Sequence, residues 1–327
     1  MIISWNITKR CNLYCKHCYR ESTSTPEENE LSTQEGKKLI EEIAKAGFKI
    51  LIFSGGEPIL RKDLYTLIHH AKQIGLIPVL GSNGTLITKE VAQQLKKSGA
   101  RTIGISLDSL HPNRHDTFRQ SLGSFEKTLM GIRHCLEANL RVQINTTVNK
   151  NNKDEITKIT DFAETLGASA HHLFFLVSVG RGKDIAEQAL NPNEYIDAIH
   201  LILDKQKHTT IELKPTCAPQ FMVEAKKQEM PMRFSRGCIA GIRYCCLLPN
   251  GDVHVCPYLP IKVGNVKNKP FDKIWAESEV FQTLRNYQHY KGQCGTCPHI
   301  TICGGCRARA FSATGDYLDE DPSCLSI

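Results

Sequence analysis

Residues 11–18 read CNLYCKHC, so Cys11, Cys15 and Cys18 stand with three and then two residues between them. One short loop thus offers three thiolates and no fourth. A tetrahedral zinc site and an ordinary four-cysteine cluster each need four protein ligands. Three thiolates on a cubane cluster leave one iron open to a small molecule, and an open iron is a place for chemistry. The residues just ahead, 2–8, are apolar and β-rich and read as a strand.

From that strand to about residue 206, β-rich runs alternate with helical stretches. Strands are expected over 2–8, 49–54, 77–82, 102–107, 142–148 and 171–177. Helices are expected over 33–46, 62–74, 89–98, 125–138, 154–166 and 192–206. Six βα units with apolar strands predict a parallel sheet with helices outside. Right-handed crossovers curl such a sheet into a barrel or part of one. Chemistry then gathers at the C-terminal ends of the strands, the face on which the cysteine loop lies. After residue 207 the texture changes: ten of the fourteen cysteines fall between Cys217 and Cys324. The chain therefore divides into an α/β partial barrel, 1–206, and a metal-ordered domain, 207–327. A hairpin is expected there, 243–247 against 252–256 around Pro249-Asn250-Gly251.

Bulk composition narrows the function. At 327 residues, 41% hydrophobic and 23% charged, the chain has the makeup of a soluble globular protein. No apolar run reaches the roughly 18 residues of a membrane span. Residues 1–11 lack the basic and apolar regions of a signal peptide, so a cytoplasmic location is expected. Fourteen cysteines in that setting argue for metal or redox use over disulfides. A net charge of +7 suits an anionic substrate and does not by itself indicate nucleic acid.

Further motifs fall on successive βα loops. Ser54-Gly55-Gly56-Glu57-Pro58 closes the second strand, where two glycines allow close backbone approach and a carboxylate can receive an ammonium group. Asn83 follows the third strand. Ser106-Leu107-Asp108 follows the fourth, with His115-Asp116-Thr117-Phe118-Arg119 just beyond. Together with CNLYCKHC on the first loop, these resemble the radical S-adenosylmethionine (SAM) superfamily, a partial (βα)6 barrel. The resemblance implies that Cys11, Cys15 and Cys18 hold three irons of a 4Fe-4S cluster and that SAM chelates the fourth. It further implies that Gly55, Gly56, Glu57, Asn83, Ser106 and Arg119 line the SAM pocket, with Arg119 as carboxylate partner.

Near the C-terminus, Cys294, Cys297, Cys303 and Cys306 are spaced by two, five and two residues. Five is too few between zinc-ribbon knuckles, and close thiolates suit iron–sulfur clusters. With Cys238, Cys245, Cys256 and Cys324, this end resembles the SPASM extension, which carries auxiliary 4Fe-4S clusters. The family's pairing implies one cluster on Cys238, Cys245, Cys256 and Cys306 and another on Cys294, Cys297, Cys303 and Cys324. Cys246 is the alternative to Cys245. The CGGC at 303–306 has two intervening residues where the common pattern has three, which leaves a single auxiliary cluster open. Cys135, inside a helix, reads as a buried apolar residue.

Stretches 170–182, 212–222, 236–245, 256–260 and 303–311 resemble the radical SAM enzymes that convert siroheme derivatives to heme or heme d1. The resemblance implies an iron tetrapyrrole substrate, didecarboxysiroheme-like, losing acetate or propionate side chains. Fe-coproporphyrin III oxidative decarboxylation is the alternative within the group, and the opening and SLDSLHP stretches look closest to the deacetylase and heme d1 branch. A reductant such as flavodoxin or ferredoxin is implied as partner. Arg181, Arg236, Arg307 and Arg309 are candidate carboxylate partners. His171, His172 and Cys217 are candidates for the substrate iron, although adjacent strand residues point to opposite faces, so one histidine at most faces inward. Peptide maturation is the runner-up enzyme reading; it needs a peptide partner or leader-binding domain, and none is expected ahead of residue 2. A plain electron carrier has no use for GGEP, Ser106 and Arg119 arrayed over successive strands.

Overall fold

The computed structural model describes residues 1–231 and 233–324. Seven strands run parallel: β1 Ile2–Asn6, β2 Ile50–Ser54, β3 Ile77–Ser82, β4 Thr102–Ser106, β5 Arg141–Val148, β6 Ala170–Phe175 and β7 Glu212–Thr216. The first six are the expected strands, with every end within two residues of its expected place. β7 was not anticipated: it is five residues long, and Pro215 interrupts its β signal. The helices between are α1 Thr33–Lys45, α2 Leu64–Gln73, α3 Lys89–Ser98, α4 Pro112–Arg119, α5 Ser124–Glu137, α6 Ile156–Leu166 and α7 Pro192–Gln206. α3 and α7 have the bounds expected from sequence. Reciprocal capping boxes, Ser32 with Glu35 and Asn191 with Glu194, start α1 and α7. α4 was missed because it is short and largely polar, with Pro112 in its first turn.

The C-terminal part adds α8 Phe221–Lys227, β8 Tyr244–Leu247, β9 Asp252–Cys256 and β10 Leu259–Asn265, then α9 Phe271–Glu277, α10 Glu279–Arg285, α11 Gly292–Thr296 and α12 Arg307–Thr314. β8 and β9 form the expected antiparallel hairpin. β8 also lies parallel to β1, so one sheet of ten strands runs β10-β9-β8-β1-β2-β3-β4-β5-β6-β7.

Side chains alternate across this sheet. Ile3, Trp5, Leu51, Phe53, Ile103, Ile105, Ile144, Leu173 and Leu213 are buried on the helix side and make the core. Each such side chain contributes about 1.5–3 kcal/mol of burial. The other face carries Ser54, Ser106, Gln143, Asn145, His172, Lys214 and Tyr244, all half-buried. The sheet therefore has an apolar outer face and a polar inner face that opens at the C-terminal strand ends.

Candidate active site and cysteine clusters

The cysteine loop rests on the turn after β2. Gly56 N–H donates to the Thr8 carbonyl and Glu57 N–H to the Arg10 carbonyl, each at 2.8 Å. The contact is too tight for a side chain: a Cβ at Gly56 would lie 2.1 Å from the Arg10 carbonyl oxygen, and one at Gly55 would lie 2.4 Å from that of Thr8. Gly55 and Gly56 thus admit the loop's own backbone. Gly56→Ala is expected to cost about 1–3 kcal/mol of stability by overpacking, with a lower thermal midpoint and reduced iron uptake. An unchanged midpoint and iron content would show that the loop does not lean on this turn.

Hydrogen-bond donors aim at the sulfurs of this loop. Cys15 is buried, and Arg119 Nη1 reaches its Sγ at 3.8 Å. Burial pushes the Cys15 thiol up, and the Arg119 charge opposes that. Leu13 N–H points at Cys11 Sγ (3.4 Å), with Asn83 Nδ2 at 4.0 Å. Burial raises the Cys11 thiol to about 12, so loading a metal must displace its proton. His17 stacks on Phe118 at 4.3 Å, and burial lowers it to about 3, which keeps it neutral.

Several expected roles change in the structure. Glu57 is fully buried and does not offer its carboxylate to an ammonium group; it accepts from Ser82 Oγ (2.9 Å) and Asn83 N–H (2.8 Å). Burial holds it up at about 7. It therefore acts through the turn that carries Asn83, whose side chain also donates to Asn12 at 2.9 Å. Arg119 is paired with Asp108 at 2.6 Å as well as reaching Cys15. Ser106 lies half-buried at the end of β4, opposite Asn145. Arg181 is held by the cysteine loop: it donates through Nε to the carbonyl of Cys15 (2.9 Å) and through Nη1 to that of Ser22 (3.0 Å), lies 3.8 Å over the Tyr14 ring, and keeps a buried Nη2 without a partner among the described residues. It clamps the cysteine loop. His171 is buried between Thr160 and Thr146 on the outer side, while His172 faces inward and pairs with Glu212 at 3.5 Å.

The C-terminal cysteines gather in two groups. In the first, Cys217 shares a hydrogen bond with Cys306, and the charges of Cys306 and Cys256 act on it. Cys306 acts on Cys238, and both act on Cys256. The shared hydrogen bond favours one thiolate within the pair, lowering Cys306 and raising Cys217. Cys217 sits in the left-handed region (φ +59°), a local cost of about 1–3 kcal/mol that turns it toward this group. Cys245, expected here, is not brought to it. It lies opposite Ile3 on the outer face of β8, packed in the core. Cys246 faces inward and accepts from Asn6 Nδ2 at 3.1 Å. In the second group the charges of Cys294 and Cys324 act on Cys303, and those of Cys294 and Cys297 on Cys324. Among the described residues, no three Cys, His, Asp or Glu side chains are close enough to hold a single metal ion.

The remaining arginines serve these groups. Arg307 is buried, donates to Cys294 Sγ at 3.2 Å and fills the space beside Gly305, where a Cβ would meet its Nη2 at 2.1 Å. Both glycines of CGGC are left-handed, so the loop turns sharply around that guanidinium. Arg309 makes a two-pronged pair with Asp321 at 2.7 and 2.8 Å and donates to the Cys217 carbonyl. Burial alone would raise Asp321, but Arg309 holds it down at about 2. Asp321 also accepts from Cys306 N–H (2.7 Å) and Gln220 (2.9 Å), a hub with no sequence signal beyond an acidic DED near the end. Arg236 donates to the carbonyls of Cys238 and Thr301.

The Radical SAM superfamily matches residues 5–163, and SPASM, an iron–sulfur cluster-binding domain, matches 238–298. Streptococcus suis SuiB bound to S-adenosylmethionine shares the fold, with a TM-score of 0.80, 16% identity, and 99% and 77% of the two chains covered. Fold and cysteine pattern thus define a radical SAM enzyme, whose cofactors are 4Fe-4S clusters and SAM. An AdoMet-dependent heme synthase of Methanosarcina barkeri is 42% identical over 99% of this chain and 96% of its own. A Fe-coproporphyrin III synthase of the same organism is 32% identical (99% and 87% covered), and a pre-heme d1 synthase of Dinoroseobacter shibae is 29% identical (99% and 85%). The chain belongs to the radical SAM enzymes of heme biosynthesis. No helix among the described residues is long and apolar enough to cross a membrane.

Proposed function

We propose that this chain oxidatively decarboxylates propionate side chains of Fe-coproporphyrin III, leaving vinyl groups and completing heme. The observation that carries the reading is the 42% identity to a relative named heme synthase, against 32% for the Fe-coproporphyrin III synthase and 29% for the pre-heme d1 synthase. The alternative seen in the sequence is therefore favoured over removal of acetate from didecarboxysiroheme.

The residues fit the cofactors. Cys11, Cys15 and Cys18 would hold the SAM-binding cluster. Cys217, Cys238, Cys256 and Cys306 would hold a second cluster, and Cys294, Cys297, Cys303 and Cys324 a third. N–H donors face sulfur in all three groups: Leu13 at Cys11 and Arg119 at Cys15; Ala240 at Cys238, Tyr258 at Cys256 and Arg309 at Cys306; and Arg307 at Cys294, His299 at Cys297 and Gly305 at Cys303. Among the described residues, the buried Nη2 atoms of Arg181 and Arg236, beside cysteine backbones, have no partner, which suits an anionic guest. When bound, these groups supply a 5′-deoxyadenosyl radical and an outlet for one electron.

The chain's own residues orient and shield. Asp108 fixes Arg119 against Cys15, Glu57 fixes the Asn83 turn, and Arg181 and the two glycines hold the loop. Each side chain converted loses CO2 and one hydrogen atom, and releases one electron; a flavodoxin or ferredoxin would return the enzyme to its reduced state. The test is anaerobic incubation with SAM, dithionite and Fe-coproporphyrin III, followed by mass spectrometry. The expected product has lost CO2 and two hydrogens per side chain, with one 5′-deoxyadenosine per vinyl. An unchanged Fe-coproporphyrin III beside a didecarboxysiroheme that loses acetate would overturn the reading.

A further inference from the structure

Arg181, Arg236, Arg307 and Arg309 are all held at the cysteine groups, and the inner face of the sheet carries two further cations without a counter-charge. Lys214 is the middle residue of β7. It shares one lateral row with Ser106, Asn145 and His172, through the registers Ser106↔Asn145, Asn145↔His172 and His172↔Lys214. Three strand spacings separate its backbone from that of Ser106, roughly 14 Å, comparable to the breadth of a tetrapyrrole. Its ammonium lies 4.6 Å over the Phe234 ring. The nearest carboxylate on this face, Glu212, is taken by His172 (3.5 Å) and Arg233 (3.4 Å). Burial lowers the Lys214 pKa, and the Glu212 charge only partly offsets that. Among the described residues Lys214 makes no ion pair or side-chain hydrogen bond.

Arg20 stands at the other side of the same face. Its charge acts on Cys246, Tyr19 and His254, where β8 meets β9. It is half-buried and, among the described residues, also lacks an ion pair or side-chain hydrogen bond. Tyr19 and Tyr258 pack beside each other at 5.0 Å, giving this side an aromatic surface. The strand order places β8 beyond β1 and β7 at the far edge, so the two cations flank the inner face.

A desolvated cation without a counter-charge is costly, and an anion that arrives with the substrate removes that cost. We infer that Lys214 and Arg20 receive carboxylates of the substrate, a polycarboxylate iron tetrapyrrole laid across the inner face. The inference rests on the tetrapyrrole reading above and adds the residues that would select for its acidic side chains. Arg20 offers a forked donor and Lys214 a point charge, so they differ in how strictly they fix a carboxylate.

The test is a titration of the iron-loaded protein with Fe-coproporphyrin III, followed by the shift of its main absorption band. Lys214→Met and Arg20→Met are each expected to weaken binding at least about tenfold, equivalent to about 1.4 kcal/mol. Lys214→Arg, which keeps the charge, should stay within about threefold of wild type, and both neutral variants should flatten the salt dependence. Iron content and far-ultraviolet circular dichroism are measured alongside; should Lys214→Met lose iron, Lys214→Gln takes its place. Wild-type affinity in iron-loaded variants at both positions overturns this inference and leaves the tetrapyrrole reading standing. Failure of the wild-type protein to bind Fe-coproporphyrin III overturns the reading and the inference with it.

Discussion

Cys15→Ala is expected to abolish 5′-deoxyadenosine formation while leaving the C-terminal domain loaded. Cys15 is the buried member of its loop and the one Arg119 reaches. Its removal leaves two thiolates where three are needed, and it leaves Arg119 with a lost contact in a buried setting. Iron should fall from about twelve to about eight atoms per chain, a loss of about four, the content of one cubane cluster. SAM cleavage should drop to background in the dithionite assay. Cleavage at the wild-type rate would rule out the loop as the reactive centre. A wild-type protein with only about four irons would instead refute the two C-terminal clusters.

The second large effect separates two neighbouring assignments. Cys217→Ser should cost one C-terminal cluster, seen as about four fewer irons and the loss of one set of low-temperature paramagnetic resonance signals. Serine preserves the size of the side chain while removing the sulfur that hydrogen-bonds with Cys306. Cys245→Ala should keep full iron, because Cys245 packs in the core on the outer face of β8. Its cost should be limited to stability, about 1–2 kcal/mol for a small buried group. The reverse pattern, with iron lost from the Cys245 variant alone, would restore the ligand set implied by the SPASM resemblance.

These two cysteines also mark what sequence could and could not convey. The alternation of strands and helices was legible because hydrophobic periodicity is local, with α3 bounded by its Thr88 cap and Gly99 and α7 started by Asn191 and Pro192. The reactive loop was legible because its spacing and its place after a strand are both linear features. Cys245 and Cys246 read alike in sequence, and strand alternation says only that they part; pairing with Ile3 and Ser4 decides which one faces inward. Cys217 was visible as a loop cysteine, but its turn toward Cys306 depends on a left-handed backbone and on Arg309 holding its carbonyl. The arginines misled for a related reason. Arg181 and Arg236 donate mainly to backbone carbonyls, which every residue possesses and no sequence pattern announces. Glu57 stands out in its motif, but burial turns its carboxylate toward Ser82 and Asn83, which sequence does not announce.

The pairing of β8 with β1 ties Tyr244 to Ser4 across 240 residues of chain. Synthesis proceeds from the N-terminus, so β1 must keep one edge open until about three quarters of the polypeptide has left the ribosome. An open strand edge invites wrong partners, and contacts this distant in sequence form slowly. The nascent chain therefore passes through a long interval in which its first strand, directly before the cysteine loop, lacks its final neighbour. Overproduction should be limited by what happens in that interval, and slower translation or a chaperone that covers strand edges should raise the yield of soluble enzyme more than added iron does.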